Sequence, residues 1–254
     1  MESQLSGKIA LVTGGGQGVG QGIALALAAA GVKLALFGRT ESKLVATQEL
    51  VEARGSEALA MAGDVCSAAD LERAVAEATE RFGGIDILVN NAQQVPNGPL
   101  EKVSDEAYLR GFESGPLAVL RLMKLVRPIM AQRGGGTIFN LVSSAGVRWD
   151  MAGYGAYGSV KQAIRPLTRA AASEWGGDNI RVLSIAPHAK SPGLVKWMEH
   201  NPEEAEAFFR TIPLRRVGEC EEDIGRAVVA LCQPEMAYLT GATIPLDGGQ
   251  ANFD

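Results

Sequence analysis

Apolar residues in this chain fall into short continuous runs separated by longer stretches of mixed polarity. The runs are Lys8–Val12 (KIALV), Lys33–Phe37 (KLALF), Glu57–Met61, Ile85–Val89 (IDILV), Thr137–Val142, Ile180–Ile185 and Ala242–Leu246. Each has the length of a strand and none alternates strictly, so each predicts a strand covered on both faces. Between them, Ile23–Ala30, Glu41–Arg54, Ala68–Arg81, Asp105–Gln132, Tyr154–Trp175, Glu203–Arg210 and Glu221–Cys232 read as helices. Gly111, Gly115 and Pro116 weaken the first half of the Asp105–Gln132 segment. Strand and helix alternate with short connections, and no linker, repeat or low-complexity segment interrupts them. The pattern predicts an α/β fold: one doubly wound parallel sheet of about seven strands, helices on both faces, in a single domain over residues 1–254.

Composition adds exclusions. Of 254 residues, 46% are hydrophobic and 21% charged, which excludes general disorder. The formal net charge is −5 and there is no basic run, so no nucleic-acid partner is expected. Met1–Lys8 carries no signal pattern, and the longest apolar stretch, Ile23–Ala30, is far too short for a membrane span. Cys66, Cys220 and Cys232 are widely spaced and odd in number, which fits a reducing cytoplasm rather than a disulfide framework. The only histidines, His188 and His200, have no cysteine or carboxylate at ligand spacing, so no metal is expected.

The glycines carry the candidate chemistry. The first strand runs into Thr13-Gly14-Gly15-Gly16-Gln17-Gly18-Val19-Gly20, a T-G-x-x-x-G-x-G spacing that opens the next helix. Glycines there allow a sharp turn, and backbone N–H groups at a helix start attract a pyrophosphate. The second strand ends Phe37-Gly38-Arg39-Thr40, with no carboxylate for ribose hydroxyls and a guanidinium suited to a 2′-phosphate. NADP(H) is therefore favoured over NAD(H); a solvated surface arginine is the plainer alternative. Asp64, before Val65, is placed to accept from an adenine amino group, or else to cap the next helix, a role for which Ser67 competes. Tyr157 and Lys161 stand i,i+4 on one helix face. An ammonium near a phenol lowers its pKa toward the range useful for proton exchange.

Thr13-Gly14-x-x-x-Gly18-x-Gly20, Asn90-Asn91-Ala92, a serine after the fifth strand and Tyr157-x-x-x-Lys161 stand in the order of the short-chain dehydrogenase/reductase family, which this sequence resembles. Ile212–Gly218 and Asp247-Gly248-Gly249 look like that family too, so the resemblance covers nearly the whole chain. It implies a Rossmann-like domain and an NAD(P)-dependent oxidoreductase interconverting a secondary alcohol and a carbonyl. Tyr157 would be the general acid–base, Lys161 would hold the nicotinamide ribose and depress the Tyr157 pKa, and a serine would bond the substrate oxygen. Ungapped counting from the tyrosine gives Ser144; anchoring on Asn140 and Gly146 gives Ser143, which is preferred. The expected cofactor residues are Thr13, Gly14, Gln17, Gly18, Val19, Gly20, Arg39, Thr40, Asp64, Val65, Asn91, Ala92, Tyr157, Lys161, Pro187 and Ser191.

Three positions depart from the family pattern. Gly115 stands where the family has a catalytic asparagine, which leaves open an alternative: a cofactor-binding sensor protein with weak catalysis. Gln93 replaces a glycine after Asn91-Ala92, and His188 replaces one after Pro187. The substrate segment is expected at about 187–212, with Gln93, Ser144, Trp149, Tyr154, His188 and Trp197 as pocket residues suited to a moderately apolar carbonyl. The apolar surface of the long helices, including Leu117, Leu120 and Leu167, points to a homodimer or homotetramer.

Overall fold

A computed structural model describes residues 4–94, 96–148, 152–251 and 253. Its seven strands are β1 (Ile9–Thr13), β2 (Lys33–Gly38), β3 (Ala58–Ala62), β4 (Ile87–Asn90), β5 (Gly136–Leu141), β6 (Ile180–Pro187) and β7 (Thr243–Leu246). They pair in the order β3-β2-β1-β4-β5-β6-β7, every pair parallel. The order reverses between β1 and β4, so a crevice opens at their carboxyl ends, where such sheets bind ligands.

Nine helices are described: α1 (Gly18–Ala29), α2 (Glu41–Glu52), α3 (Ala68–Phe82), α4 (Asp105–Phe112), α5 (Ala118–Gln132), α6 (Gly155–Trp175), α7 (Pro192–His200), α8 (Pro202–Thr211) and α9 (Arg226–Leu231). Successive strand residues face opposite ways, which divides the core in two. Leu11, Phe37, Leu88, Ile138 and Val182 pack with Leu71, Leu122 and Ile164 from α3, α5 and α6. Val12, Leu36, Val89, Phe139 and Leu183 pack on the other face with Ile23, Leu44 and Val228 from α1, α2 and α9. Both faces being covered explains the continuous apolar runs, and each fully buried large side chain contributes roughly 1.5–3 kcal/mol.

The structure corrects several sequence expectations. The single helix expected over Asp105–Gln132 is α4 and α5 joined by a wide π turn, Glu113–Leu117. Pro116 has no N–H for the carbonyl four residues back, and widening the turn absorbs that loss. The Glu221–Cys232 helix likewise begins with a π turn, Cys220–Gly225, before α9. There the backbone lies directly on α1, because a Cβ on Gly22 would collide with Cys220. The loop expected after β6 contains α7, which Ser191 caps by accepting the Leu194 N–H and which begins with Pro192. Ile85 and Asp86 precede β4 instead of belonging to it. The buried Asp86 carboxylate accepts the Ile9 N–H and a two-pronged contact from Arg133, tying β1, β4 and the end of α5 together.

Leu117 and Leu120 are exposed on the π turn and α5, whereas Leu167 packs against the molecule's own core. Among the described residues no helix is long and apolar enough to cross a membrane.

Candidate active site

The turn between β1 and α1 is built so that only glycine fits. Gly14 and Gly18 have φ of 67° and 58°, in the left-handed region. A Cβ on Gly14 would come within 2.6 Å of Asn91 Nδ2, and one on Gly20 would collide with the Gly14 carbonyl. Thr13 and Asn91 rivet this turn to β4. Thr13 Oγ1 accepts the N–H groups of Asn91 and Ala92, both at 3.0 Å, and donates to the Val89 carbonyl. Asn91 Nδ2 donates to the carbonyls of Thr13 and Gly14. The Thr13 hydroxyl, expected at the cofactor, is thus engaged inside the protein and positions the turn.

Below the turn lies a cleft of about 240 Å³. Of the residues expected at the cofactor, Gly14, Gln17, Arg39, Thr40, Asp64, Val65, Asn91 and Ala92 line it. Gly16, Gly38, Lys43, Gly63, Gln94 and Ser114 line it as well, and sequence reading did not single out Lys43, Gln94 or Ser114 for the cofactor. The signal that could have found Lys43 is its place in the first turn of α2, four residues after Arg39. Lys43 Nζ donates to Gln17 Oε1, across the mouth of the cleft. Arg39 is exposed and makes no ion pair among the described residues. No acidic side chain lies in the first turn of α1, so its amino end presents partial positive charge to the cleft.

Asp64 caps no helix; Ser67 does that for α3. The Asp64 carboxylate accepts the Cys66 N–H and a charged contact from Arg110 at 2.6 Å. Burial raises its pKa, but the Cys66 hydrogen bonds together with the Arg110 and Arg39 charges outweigh this and hold it below the usual carboxylate range.

Toward the other end of the crevice, the Tyr157 hydroxyl is hydrogen-bonded to Ser143 rather than to Ser144. Ser143 also accepts the Ala145 N–H at 3.1 Å, while Ser144 is buried behind it. Lys161, one turn along α6, is buried and donates to the Leu141 carbonyl at 2.6 Å. Burial moves the Lys161 pKa down from 10.5 to about 7. Burial raises the Tyr157 pKa, the Ser143 hydrogen bond opposes the rise, and Tyr154 adds to it. The expected lowering by Lys161 is not seen: its ammonium stands 5.9 Å from the phenol ring centroid and is turned to Leu141.

The family profile described as "Enoyl-(Acyl carrier protein) reductase" matches residues 14–251, nearly the whole chain. The chain belongs to the short-chain dehydrogenase/reductase family. A 12alpha-hydroxysteroid dehydrogenase from a Clostridium species is 39% identical over 96% of this chain and 96% of its own. A tropinone reductase homolog from Arabidopsis thaliana is 35% identical over 96% of this chain and 92% of its own. Among solved structures, L-sorbose reductase from Gluconobacter frateurii, complexed with NADPH and L-sorbose, superposes with a TM-score of 0.92 at 29% identity over all of both chains. As a short-chain dehydrogenase/reductase, this chain is an NAD(P)-dependent oxidoreductase of alcohols and carbonyls.

In this dehydrogenase/reductase the remaining expected residues separate into two groups. Gly18, Val19, Gly20, Pro187 and Ser191 lie outside the cleft lining. Ser191 nevertheless approaches the glycine turn, since a Cβ on Gly18 would meet Pro192 Cδ at 3.1 Å and Ser191 at 3.8 Å. His188 and Trp197 both pack edge-on against Phe208 of α8, at 5.3 and 6.0 Å between centroids. Burial, and then the Arg148 charge, lower the His188 pKa against the pull of Asp247, so its ring is neutral at pH 7. Its Nδ1 is buried with no partner among the described residues. Tyr154 is exposed beside Tyr157, centroids 6.4 Å apart. Trp149 lies outside the described residues. Gln93 lines the cleft, with its carboxamide turned toward Gly115.

The two serines make opposite predictions. Ser143→Ala removes the partner of Tyr157 and is expected to cut kcat more than Ser144→Ala, by roughly tenfold or more. Steady-state kinetics of both variants checks this, and the reverse order would reassign the serine.

Proposed function

We propose that this chain interconverts a secondary alcohol and a ketone using NADP(H), with Ser143, Tyr157 and Lys161 at the reaction centre. The observation that carries this reading is the Ser143–Tyr157 hydrogen bond one helical turn from Lys161. The substrate oxygen would accept from Ser143 and Tyr157, and the Tyr157 proton passes to that oxygen during reduction. Lys161, with one N–H given to Leu141, has two more for groups in the cleft. The nicotinamide, when bound, supplies or takes the hydride.

Arg39 and Lys43 at the cleft mouth, with Gly38 where a carboxylate would stand, support NADP(H) over NAD(H). Arg39→Ala is expected to weaken NADPH about ten- to a hundredfold, the worth of a charged hydrogen-bonded contact, and NADH hardly at all. Fluorescence titration with both cofactors checks this; an equal loss for each would remove the basis for NADP(H).

The aromatic group of His188, Trp197 and Phe208 supports a moderately apolar substrate. A relative named for a hydroxysteroid supports a ring-borne secondary alcohol. The exposed Leu109, Leu117 and Leu120 support a homodimer or homotetramer. Gly115 favours a second reading, a cofactor sensor with little turnover. NADPH absorbance over a panel of cyclic ketones, run beside NADPH binding, separates the two: binding without turnover on every ketone favours the sensor.

A further inference from the structure

Arg110 of α4 has no motif to mark it in the sequence, yet it ties together three residues that line the cofactor cleft. Its guanidinium donates to Asp64 Oδ2 at 2.6 Å and, through Nε, to Gln94 Oε1 at 3.3 Å. Its carbonyl accepts the Ser114 hydroxyl at 2.8 Å, and Ser114 Oγ in turn accepts the Gln94 N–H at 3.0 Å. Asp64 follows β3, Gln94 follows β4, and Ser114 lies in the π turn after α4. In the sheet, β2 and β1 stand between β3 and β4. One side chain thus joins the two sides of the cleft.

This contact does little for stability. The Arg110 and Asp64 side chains are 40% and 32% exposed, and ion pairs this open to solvent are screened and weak. What the contact fixes is direction. Asp64 Oδ1 accepts the Cys66 N–H at 3.0 Å while Oδ2 accepts from Arg110, so the carboxylate is held at both oxygens. An ionised carboxylate offers about four lone-pair positions, so a further donor in the cleft can still be accepted. The exocyclic amino group of an adenine is such a donor.

We propose that Arg110 is a positioning residue of the cofactor site: it holds the Asp64 carboxylate aimed at the 6-amino group of the cofactor's adenine. This rests on the reading of Asp64 as the acceptor of that amino group. Arg110 takes no part in hydride or proton transfer. Its effect is to orient the carboxylate before the cofactor arrives, so that binding does not have to immobilise a rotating side chain. The same guanidinium holds Gln94, and the Arg110 carbonyl holds Ser114, so this part of the cleft is set in advance by one residue of α4.

The test compares NADPH with the analogue whose adenine is replaced by purine, which lacks only the 6-amino group. Fluorescence titration of the wild type is expected to show NADPH binding roughly ten- to a hundredfold more tightly than the analogue, the worth of a hydrogen bond to a charged acceptor. Arg110→Met keeps a good helix former at this half-exposed position. It is expected to lower that preference at least about fivefold through weaker NADPH binding, with Tm and affinity for the analogue nearly unchanged. Asp64→Ala is expected to lose the preference as well, and adding Arg110→Met to it should lose nothing further, because the two act through one carboxylate. A preference in Arg110→Met equal to that of the wild type, or a loss shared equally by NADPH and the analogue, overturns the positioning role. No preference in the wild type overturns the reading of Asp64, and the proposal with it. The same ratio can be read with NADH and its purine analogue, so an error in the choice of NADP(H) appears in the Arg39→Ala titration and not in this one.

Discussion

Tyr157→Phe is expected to lower turnover about 10²–10⁴-fold, the usual worth of a general acid–base group, with NADPH affinity near that of the wild type. The ring keeps its packing and only the hydroxyl bonded to Ser143 is lost. Direction and pH follow from the raised Tyr157 pKa. Burial keeps the phenol protonated at neutral pH, so the acid form needed for carbonyl reduction is loaded there. Alcohol oxidation needs the phenolate, so its rate should climb as pH rises into the alkaline range, and the climb should vanish in Tyr157→Phe. Activity of that variant within a few-fold of wild type, measured in both directions from pH 6 to 10, would remove Tyr157 from the mechanism.

Lys161→Met is expected to produce a more stable and nearly inactive protein. Burial lowers the Lys161 pKa from 10.5 to about 7, so the folded state disfavours the ammonium. Between those values the unfolded chain binds a proton that the folded chain does not, and stability rises with pH. The penalty is complete below pH 7 and disappears by about pH 10.5. Its full size is on the order of 3–5 kcal/mol by the worth of each pKa unit. Leaving the Leu141 carbonyl without its partner offsets roughly 1–3 kcal/mol of this. The variant should therefore melt several degrees above wild type at pH 6, with the difference shrinking toward pH 10, while kcat falls at least about a hundredfold. A Tm difference that does not change with pH would show that the buried ammonium does not set it. A residue that costs stability where it sits, yet lies one turn from Tyr157, fits a site held for chemistry.

Exchanges at Ser143 and Arg39 act on smaller groups of contacts, but they probe the two ends of the same crevice. Arg39 stands at the carboxyl end of β2 and Ser143 follows the end of β5, with β1 and β4 between them in the sheet. The parallel sheet brings residues more than a hundred positions apart to one edge, and the reversal of strand order opens that edge to a ligand.

Much of this was legible in the sequence. The unbroken apolar runs announced strands covered on both faces, because a strand buried twice has no polar side to show. The glycine spacing announced the turn, because the positive φ of Gly14 and Gly18 is a local backbone demand that few other residues meet. The i,i+4 placement of Tyr157 and Lys161 is also local, set by the helical period. What the sequence could not decide depends on neighbours distant along the chain. The Tyr157 pKa is raised because burial and Tyr154 outweigh the Ser143 hydrogen bond, while the Lys161 ammonium turns to the Leu141 carbonyl. The Thr13 hydroxyl is held by the backbone after β4, which only the β1–β4 pairing brings within reach. Gln93 and Gly115 read separately as two faults in a pattern; packing of β4 against the α4–α5 turn puts one amide in the space left by the other's missing side chain. Local conformation is encoded by neighbours in sequence, whereas burial, pairing and charge depend on neighbours in space, and those exist only once the sheet has assembled.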